Sequence, residues 1–218
     1  MDDTPLHDAK LRKLLQSTSG ASNVAVLPSS GKYLESHVLS DKDNIHAYEK
    51  NRESLHSYAQ RAAEIAVVET GLATGIRATV IMPPTIYGIG SGFFNRLSVQ
   101  IPNVIQTSLN RGRAIRVGDH NATYNHVHVD DLVAFYEMVL ARIVEGKEVP
   151  HGEKGILFTD GGEFTWTEFV RTRGDIGREW GWEPRKTHSD FLNTFEIEVD
   201  AVLEAGKILN YTSHLKGH

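Results

Sequence analysis

Two histidines and an aspartate are the first candidates for chemistry in this chain. His126, His128 and Asp130 are each two residues apart, so on a strand their side chains face the same side and could together bind a metal ion. The same spacing fits a strand that leads into a helix capped by Asp130. We favour the strand and the cap, and we expect no metal site.

A glycine-rich run, Gly88-Ile89-Gly90-Ser91-Gly92, follows a predicted strand and could be a phosphate-binding loop. Two prolines, Pro83 and Pro84, separate the run from that strand. No acidic residue follows at the spacing of ~20 residues that a dinucleotide-binding motif requires. We therefore expect this loop to contact something other than phosphate.

Tyr58 and Arg61 lie in a predicted amphipathic helix from Ser54 to Gly71. Tyr58 is either a core aromatic or a pocket residue, and its neighbours favour the pocket. Arg61 is either a surface residue or a fixed cation for a substrate carboxylate or enolate, and the sequence leaves both open.

Composition excludes several classes of function. The 218 residues carry a net charge of −5 and include no cysteine, which excludes disulfides, thiolate nucleophiles and zinc–cysteine sites and disfavours nucleic-acid binding. The acidic first residues lack the apolar core of a secretory signal, and no apolar run reaches the ~18 residues of a membrane span. We expect a cytoplasmic protein with no nucleic-acid or membrane partner.

Strands and helices alternate along the chain. Apolar spacing predicts a buried strand over Ala78–Met82 and helices over Ser98–Asn110 and Asp131–Glu145. Thr165 and Glu168 form a capping-box pattern that predicts a further helix start. This alternation predicts an α/β fold with a mainly parallel sheet.

Several motifs occur in an order that resembles the extended short-chain dehydrogenase/reductase superfamily, in its NAD-dependent epimerase/dehydratase branch. They are Thr18-Ser19-Gly20, then Tyr58, Pro83-Pro84-Thr85-Ile86-Tyr87-Gly88, Gly118-Asp119, and Asn125-His126-Val127-His128-Val129-Asp130-Asp131-Leu132. The resemblance covers roughly residues 17–182. It implies a partial, Rossmann-like parallel sheet with a small α+β substrate-binding lobe.

The resemblance also implies how the chain is divided. We expect a single domain over residues 1–218. Its Rossmann-like core would be formed by residues 17–90 and 125–145, and its substrate-binding lobe by residues 91–124 and 146–218.

In the family, a hydroxyl residue, a tyrosine and a lysine act together. The lysine lowers the pKa of the tyrosine, which then works as a general acid or base. The resemblance assigns these roles to Tyr58 and to Ser19 or Ser22, but Ala62 occupies the lysine position. Arg61 is about 100° around the helix from Ala62, so it cannot simply replace the lysine, although we keep it as a candidate catalytic residue.

The resemblance places the substrate around the loop after the sixth family strand. Its candidate binding residues are Ser22, Thr85, Tyr87, Asn95, His126 and His128.

The family's glycine-rich dinucleotide loop should lie about a hundred residues before the tyrosine. Only 57 residues precede Tyr58, and they contain no G-x-x-G-x-x-G. We therefore expect a shortened member that binds no cofactor and acts as an isomerase or cyclase, including a pericyclic reaction, on a small, mainly apolar metabolite of secondary metabolism. The alternatives are an NAD- or NADP-dependent reductase or epimerase whose N-terminus has been shortened, and a non-catalytic binding protein.

The predicted helix Ser54–Gly71 also has a partner in the family. It commonly forms a two-helix-per-subunit dimer interface, so the resemblance implies a homodimer through this helix.

Overall fold

The computed structural model describes residues 14–25, 37–94, 96–113, 122–166 and 171–205. The strands are β1 (Leu14–Thr18), β2 (Val38–Ser40), β3 (Arg77–Met82), β4 (Thr85–Tyr87), β5 (Ala122–His128), β6 (Ile156–Phe158), β7 (Gly162–Trp166) and β8 (Arg171–Arg173). The helices are α1 (Ile45–Leu55), α2 (Ala59–Thr74), α3 (Gln100–Arg111), α4 (Val129–Val144), α5 (Asp175–Glu179) and α6 (His188–Ala205). Two short 3₁₀ helices, Ala21–Asn23 and Gly152–Lys154, complete the described elements.

The central sheet is parallel and has the strand order β1–β3–β6. Ser17 lies opposite Val80, and Ile81 opposite Leu157. Every residue of β3 from Ala78 to Met82 is buried, as expected for an apolar strand covered on both faces. The predicted α/β class, with parallel strands of Rossmann-like type, is confirmed.

Helices cover both faces of this sheet. On one face, Val80 and Phe158 pack with Val68 of α2 and Ile45 of α1. On the other face, Ile81 packs against the buried side of α4 in a second cluster. Because β1 and β3 are parallel, the loops that follow these strands leave the sheet at the same edge.

Two smaller sheets flank the central one. β2 pairs with β8 in parallel, while β5 lies between parallel β4 and antiparallel β7. Within the described ranges, no helix is long and apolar enough to cross a membrane.

The predicted helix Ser54–Gly71 is two helices separated by residues 56–58. The carboxylate of Glu53 explains the break, because it accepts hydrogen bonds from the Ser57 hydroxyl at 2.7 Å and the Tyr58 backbone N–H at 3.0 Å. Tyr58 consequently has extended backbone, with φ −142°, and directly precedes α2. Its side chain therefore projects from the start of the helix rather than from a helical face.

Two other local predictions are wrong. Thr165 belongs to β7, opposite Thr123 of β5, because strand pairing overrides the capping-box pattern. The cap of α4 is His128 and not Asp130, since the His128 side chain accepts a hydrogen bond from the Asp130 backbone N–H at 3.1 Å.

Candidate functional site

The loop after β1 is held against the end of β3. The Ser19 backbone N–H donates to the Ile81 carbonyl at 2.9 Å, and the Ala21 N–H donates to the Pro83 carbonyl at 2.9 Å. This brings the loop to the carboxyl edge of the parallel sheet, where α/β proteins commonly bind their ligands.

Tyr58, Ser22 and Gln60 form a polar cluster at this edge. The Tyr58 hydroxyl donates to Gln60 Oε1 at 3.0 Å and lies 3.4 Å from Ser22 Oγ. The Ser22 hydroxyl donates to the same amide oxygen at 3.3 Å. The cluster joins the loop after β1 to the first turn of α2.

The cluster lies in the wall of a cavity of about 550 Å³. Ser19 and Gly20 also line it, while Pro83, Pro84 and Ile86 provide an apolar wall and Arg96 a cation. The Arg96 Nε donates to the Gly90 carbonyl, and the Gly90 N–H donates back to the Arg96 carbonyl at 2.8 Å, so the two ends of the 90–96 segment are held together. A cavity of this size accommodates a small molecule.

A buried carboxyl pair lies behind Ser19. Asn23 Nδ2 donates to Ser19 Oγ at 2.9 Å and to Glu64 Oε2 at 2.7 Å. Burial raises the pKa of Glu64, and burial together with the charge of Glu64 raises the pKa of Glu49 more strongly. The two carboxyls therefore hold at least one proton at neutral pH, and they help to fix the loop that carries Ser19.

Arg61 lies inside the protein and not in the cavity wall. Its side chain is 1% exposed, and it donates to the Asn23 carbonyl at 2.7 Å and to the His56 carbonyl at 3.0 Å. Glu53 is 3.5 Å from its guanidinium. These partners join the loop after β1 to the α1–α2 connection, so Arg61 stabilises the framework of the site and does not line the cavity.

Tyr87 and His126 are buried among aromatic rings. The His126 ring stacks on Phe191 with 4.4 Å between centroids, and Tyr87 meets both rings edge-on. Burial lowers the pKa of His126 to about 4 and raises the pKa of Tyr87. Neither residue lines the cavity, and neither does the buried Thr85.

His128 and Glu198 position the loop that follows β4. Gly88 has φ 91°, and a Cβ there would lie 2.4 Å from His128 Nε2, so only glycine fits. The Gly88 N–H donates to Glu198 Oε1 at 3.1 Å, and the Ser98 hydroxyl contacts Oε2 at 3.5 Å. Burial raises the pKa of Glu198 to about 7, although both hydrogen bonds oppose the rise.

Of the candidates from the sequence, the cavity brings together Ser19, Ser22 and Tyr58. Asn95 lies outside the described residues. Among the described residues, no group of three or more His, Cys, Asp or Glu side chains could hold a metal ion.

Gln60 and Arg96 are polar cavity residues that the sequence reasoning missed. Ala62, the expected lysine position, is exposed and does not line the cavity. The sequence did contain a sign of Gln60. It is a polar residue in the first turn of α2, where its neighbours are alanines and the buried Arg61.

Comparison with known proteins identifies the family. The model of the "NAD dependent epimerase/dehydratase family" matches residues 9–152. The chain belongs to this family. The resemblance inferred from the sequence is thereby confirmed.

Among curated proteins, the chain is similar to the oxidase ucsJ of Acremonium sp, with 26% identity over 125 residues. The match covers 53% of this chain and 36% of that protein, so it spans about a third of the relative's length.

Solved structures share the fold at low identity. The PbgP3 protein of Burkholderia pseudomallei matches with TM-score 0.59 and 13% identity, over 92% of this chain and 68% of its own. UDP-glucuronic acid 4-epimerase of Bacillus cereus, solved with UDP-glucuronic acid and NAD, matches with TM-score 0.55 and 11% identity, over 88% of this chain and 62% of its own.

The expectation that the protein uses no cofactor is wrong. It depended on the absence of a glycine-rich loop and on Ala62, but the family is NAD-dependent and a structural relative contains NAD. Neither sequence feature outweighs membership of an NAD-dependent family.

Proposed function

We propose that this chain forms the proton-donating, substrate-binding side of an NAD- or NADP-dependent enzyme that acts on a carbonyl or hydroxyl group of a small molecule. The observation that carries the proposal is the Ser22–Tyr58–Gln60 cluster in the wall of the cavity. Membership of an NAD-dependent family supports it.

The described residues fit the nicotinamide end of the cofactor. Pro83, Pro84 and Ile86 give the cavity an apolar wall beside the hydroxyls of Ser22 and Tyr58, which suits a flat, uncharged ring next to a polar substrate group. The glycine-rich segment of residues 88–92, between β4 and α3, does not have the G-x-G-x-x-G spacing of a diphosphate-binding turn. When bound, the nicotinamide exchanges a hydride with a substrate carbon.

Tyr58 and Ser22 would bind the substrate oxygen. With a carbonyl substrate, the phenol donates its hydrogen to the oxygen as negative charge develops there, and Ser22 provides a second hydroxyl nearby. Arg61, which is held by Asn23, His56 and Glu53, fixes the separation between the serine loop and the tyrosine.

The cavity favours a small and mainly apolar substrate with one polar end. Its wall includes the apolar residues Pro83, Pro84 and Ile86, and its polar side chains are those of Ser19, the cluster, Arg96, Ser98 and Gln100. We do not propose isomerase or cyclase action without a cofactor. That expectation depended on the absence of a cofactor, and the family is NAD-dependent. Epimerisation with NAD is the alternative to simple reduction, since the family includes epimerases.

The test is consumption of NADH or NADPH with a panel of small apolar ketones. In a productive reaction, each ketone takes up one hydride and one proton and becomes an alcohol, while the reduced nicotinamide is oxidised. Tyr58→Phe should lower kcat/KM by about 10²-fold or more. Tyr48→Phe, which removes a hydroxyl outside the cavity wall, should leave it unchanged, and equal rates in the two variants would contradict the proposal.

A homodimer through α1 and α2 remains part of the proposal. Leu55 and Leu72 are exposed on these helices, at 71% and 53%, and Ala62, Ala63 and Ala66 are exposed along α2. Such small side chains allow close helix contact. Light scattering should show a dimer that Ala66→Glu converts to a monomer, and a wild-type chain that is strictly monomeric would count against it.

A further inference from the structure

A buried carboxyl pair links α1 and α2 to the loop after β1. Glu49 of α1 and Glu64 of α2 are both buried and are hydrogen-bonded to each other. Asn23 is also buried, and its amide nitrogen carries two hydrogens. That nitrogen donates to Glu64 Oε2 at 2.7 Å and to Ser19 Oγ at 2.9 Å. A chain of contacts therefore runs from Glu49 to Ser19, which lines the cavity.

The oxygens of this pair require a proton. Both carboxyl oxygens of Glu49 and the Oε1 of Glu64 are buried, and they have no hydrogen-bond donor among the described residues while both groups are ionised. Two ionised carboxylates in contact would also repel each other. A protonated carboxyl carries an O–H, so a single proton between the two groups supplies the missing donor and removes the repulsion.

Glu49 is the member of the pair that keeps the proton. The 2.7 Å hydrogen bond from Asn23 favours the ionised form of Glu64. Burial, followed by the charge of Glu64, raises the pKa of Glu49 to about 9. The geometry therefore makes Glu49 the donor and Glu64 the acceptor of the carboxyl hydrogen.

The charged groups around the pair leave this proton in place. Arg61 of α2 opposes the rise in the pKa of Glu49, but its guanidinium donates to the Asn23 and His56 carbonyls. Other ionisable groups on α1, α2 and the 3₁₀ helix Gly152–Lys154 have partners of their own. His46, Lys50, Glu69 and Glu153 act on one another, and the Tyr48 hydroxyl donates to the Val24 carbonyl.

We propose that Glu49 and Glu64 form a proton-linked unit that positions Ser19 in the cavity wall. Glu49 donates its carboxyl hydrogen to Glu64, and Glu64 holds the amide of Asn23. Asn23 in turn holds the serine hydroxyl, while Arg61 fixes the Asn23 carbonyl at 2.7 Å. Neither glutamate lines the cavity, so both are positioning residues that act through Asn23.

A consequence is that the loop after β1 depends on this proton. Its loss would set two buried carboxylates against each other, and the loop should move when Glu49 ionises. The inference rests on the proposed function for the reaction that Ser19 serves, but its test does not depend on that reaction.

The test follows the backbone amide signals of Gly20 and Ser22 by NMR as the pH rises. In the wild type they should shift with a midpoint near pH 9, where Glu49 ionises. Glu49→Gln replaces the carboxyl O–H by an amide N–H that can donate to Glu64 and cannot ionise, so this transition should be absent. Glu69→Gln, on the same helix as Glu64 but with an exposed side chain, is the matched control and should keep it.

The inference is overturned if Glu49→Gln and Glu69→Gln show the same transition, or if the wild type shows none near pH 9. Glu64→Gln is a second variant of the pair. Its amide can accept from Asn23 and donate to Glu49 without a like charge, so it should move the transition to lower pH, and an unchanged midpoint would also contradict the inference.

Melting curves of each variant establish that it folds, and shifts that all the proteins share come from other groups. The measurement needs neither cofactor nor substrate. The positioning unit can therefore be demonstrated while the ketone assay fails, and the two proposals fail separately.

Discussion

Replacing Glu198 by glutamine should change how the stability of the protein depends on pH. Glu198 is fully buried and accepts hydrogen bonds from the Gly88 N–H and the Ser98 hydroxyl, both of which belong to residues that line the cavity. Glutamine keeps an acceptor for Gly88 and cannot ionise, so the variant isolates the cost of charging this buried carboxyl.

The magnitude follows from the pKa of Glu198, which burial raises from 4.5 to about 7. Between these values the folded state binds one proton more than the unfolded state, so the free energy of unfolding falls as the pH rises. This stability is fully present below pH 4.5 and is lost by about pH 7. At 1.36 kcal/mol per pH unit, the loss is about 3 kcal/mol.

Urea unfolding from pH 4.5 to pH 8 measures the effect. Across this range, Glu198→Gln should lose about 3 kcal/mol less stability than the wild type. Glu196→Gln, on the same helix at an exposed position, should follow the wild-type curve. Parallel curves for Glu198→Gln and the wild type would refute the assignment of a buried carboxyl with a raised pKa to Glu198.

Two further predictions concern the framework of the site. Arg61→Met leaves Glu53 and the carbonyls of Asn23 and His56 without their cation, so the free energy of unfolding in urea should fall by about 3 kcal/mol. A loss below ~1 kcal/mol would contradict the role given to Arg61. Gly88→Ala forces a side chain into φ 91° and towards His128, and should cost about 2 kcal/mol or more. Gly92→Ala, with open space around it, should cost little in the same measurement, and equal losses would exclude the steric explanation.

Much of the fold could be predicted from local patterns. The apolar run Ala78–Met82 is β3, and the predicted helix Asp131–Glu145 is α4 with nearly the same bounds. Both elements are specified by their own periodicity and by burial on one or both faces. Thr165 shows the limit, because its pairing with Thr123 depends on a strand more than 40 residues away along the chain.

The site was less predictable because it depends on one helix boundary. The family resemblance paired Tyr58 with Ala62 as the positions of its tyrosine and lysine, and an uninterrupted helix would place these two residues on the same face. The Glu53 carboxylate instead ends α1 and leaves Tyr58 extended before α2. The tyrosine consequently meets Gln60, a contact that helical spacing does not predict.

We propose that the cavity beside Tyr58 holds the nicotinamide end of the cofactor. Saturation-transfer NMR of NADH in the presence of the purified chain tests it most directly. We predict stronger saturation of the nicotinamide protons than of the adenine protons, and weaker nicotinamide saturation in a variant whose cavity is filled by Gly20→Leu. Saturation confined to adenine, or none at millimolar NADH, would contradict the claim.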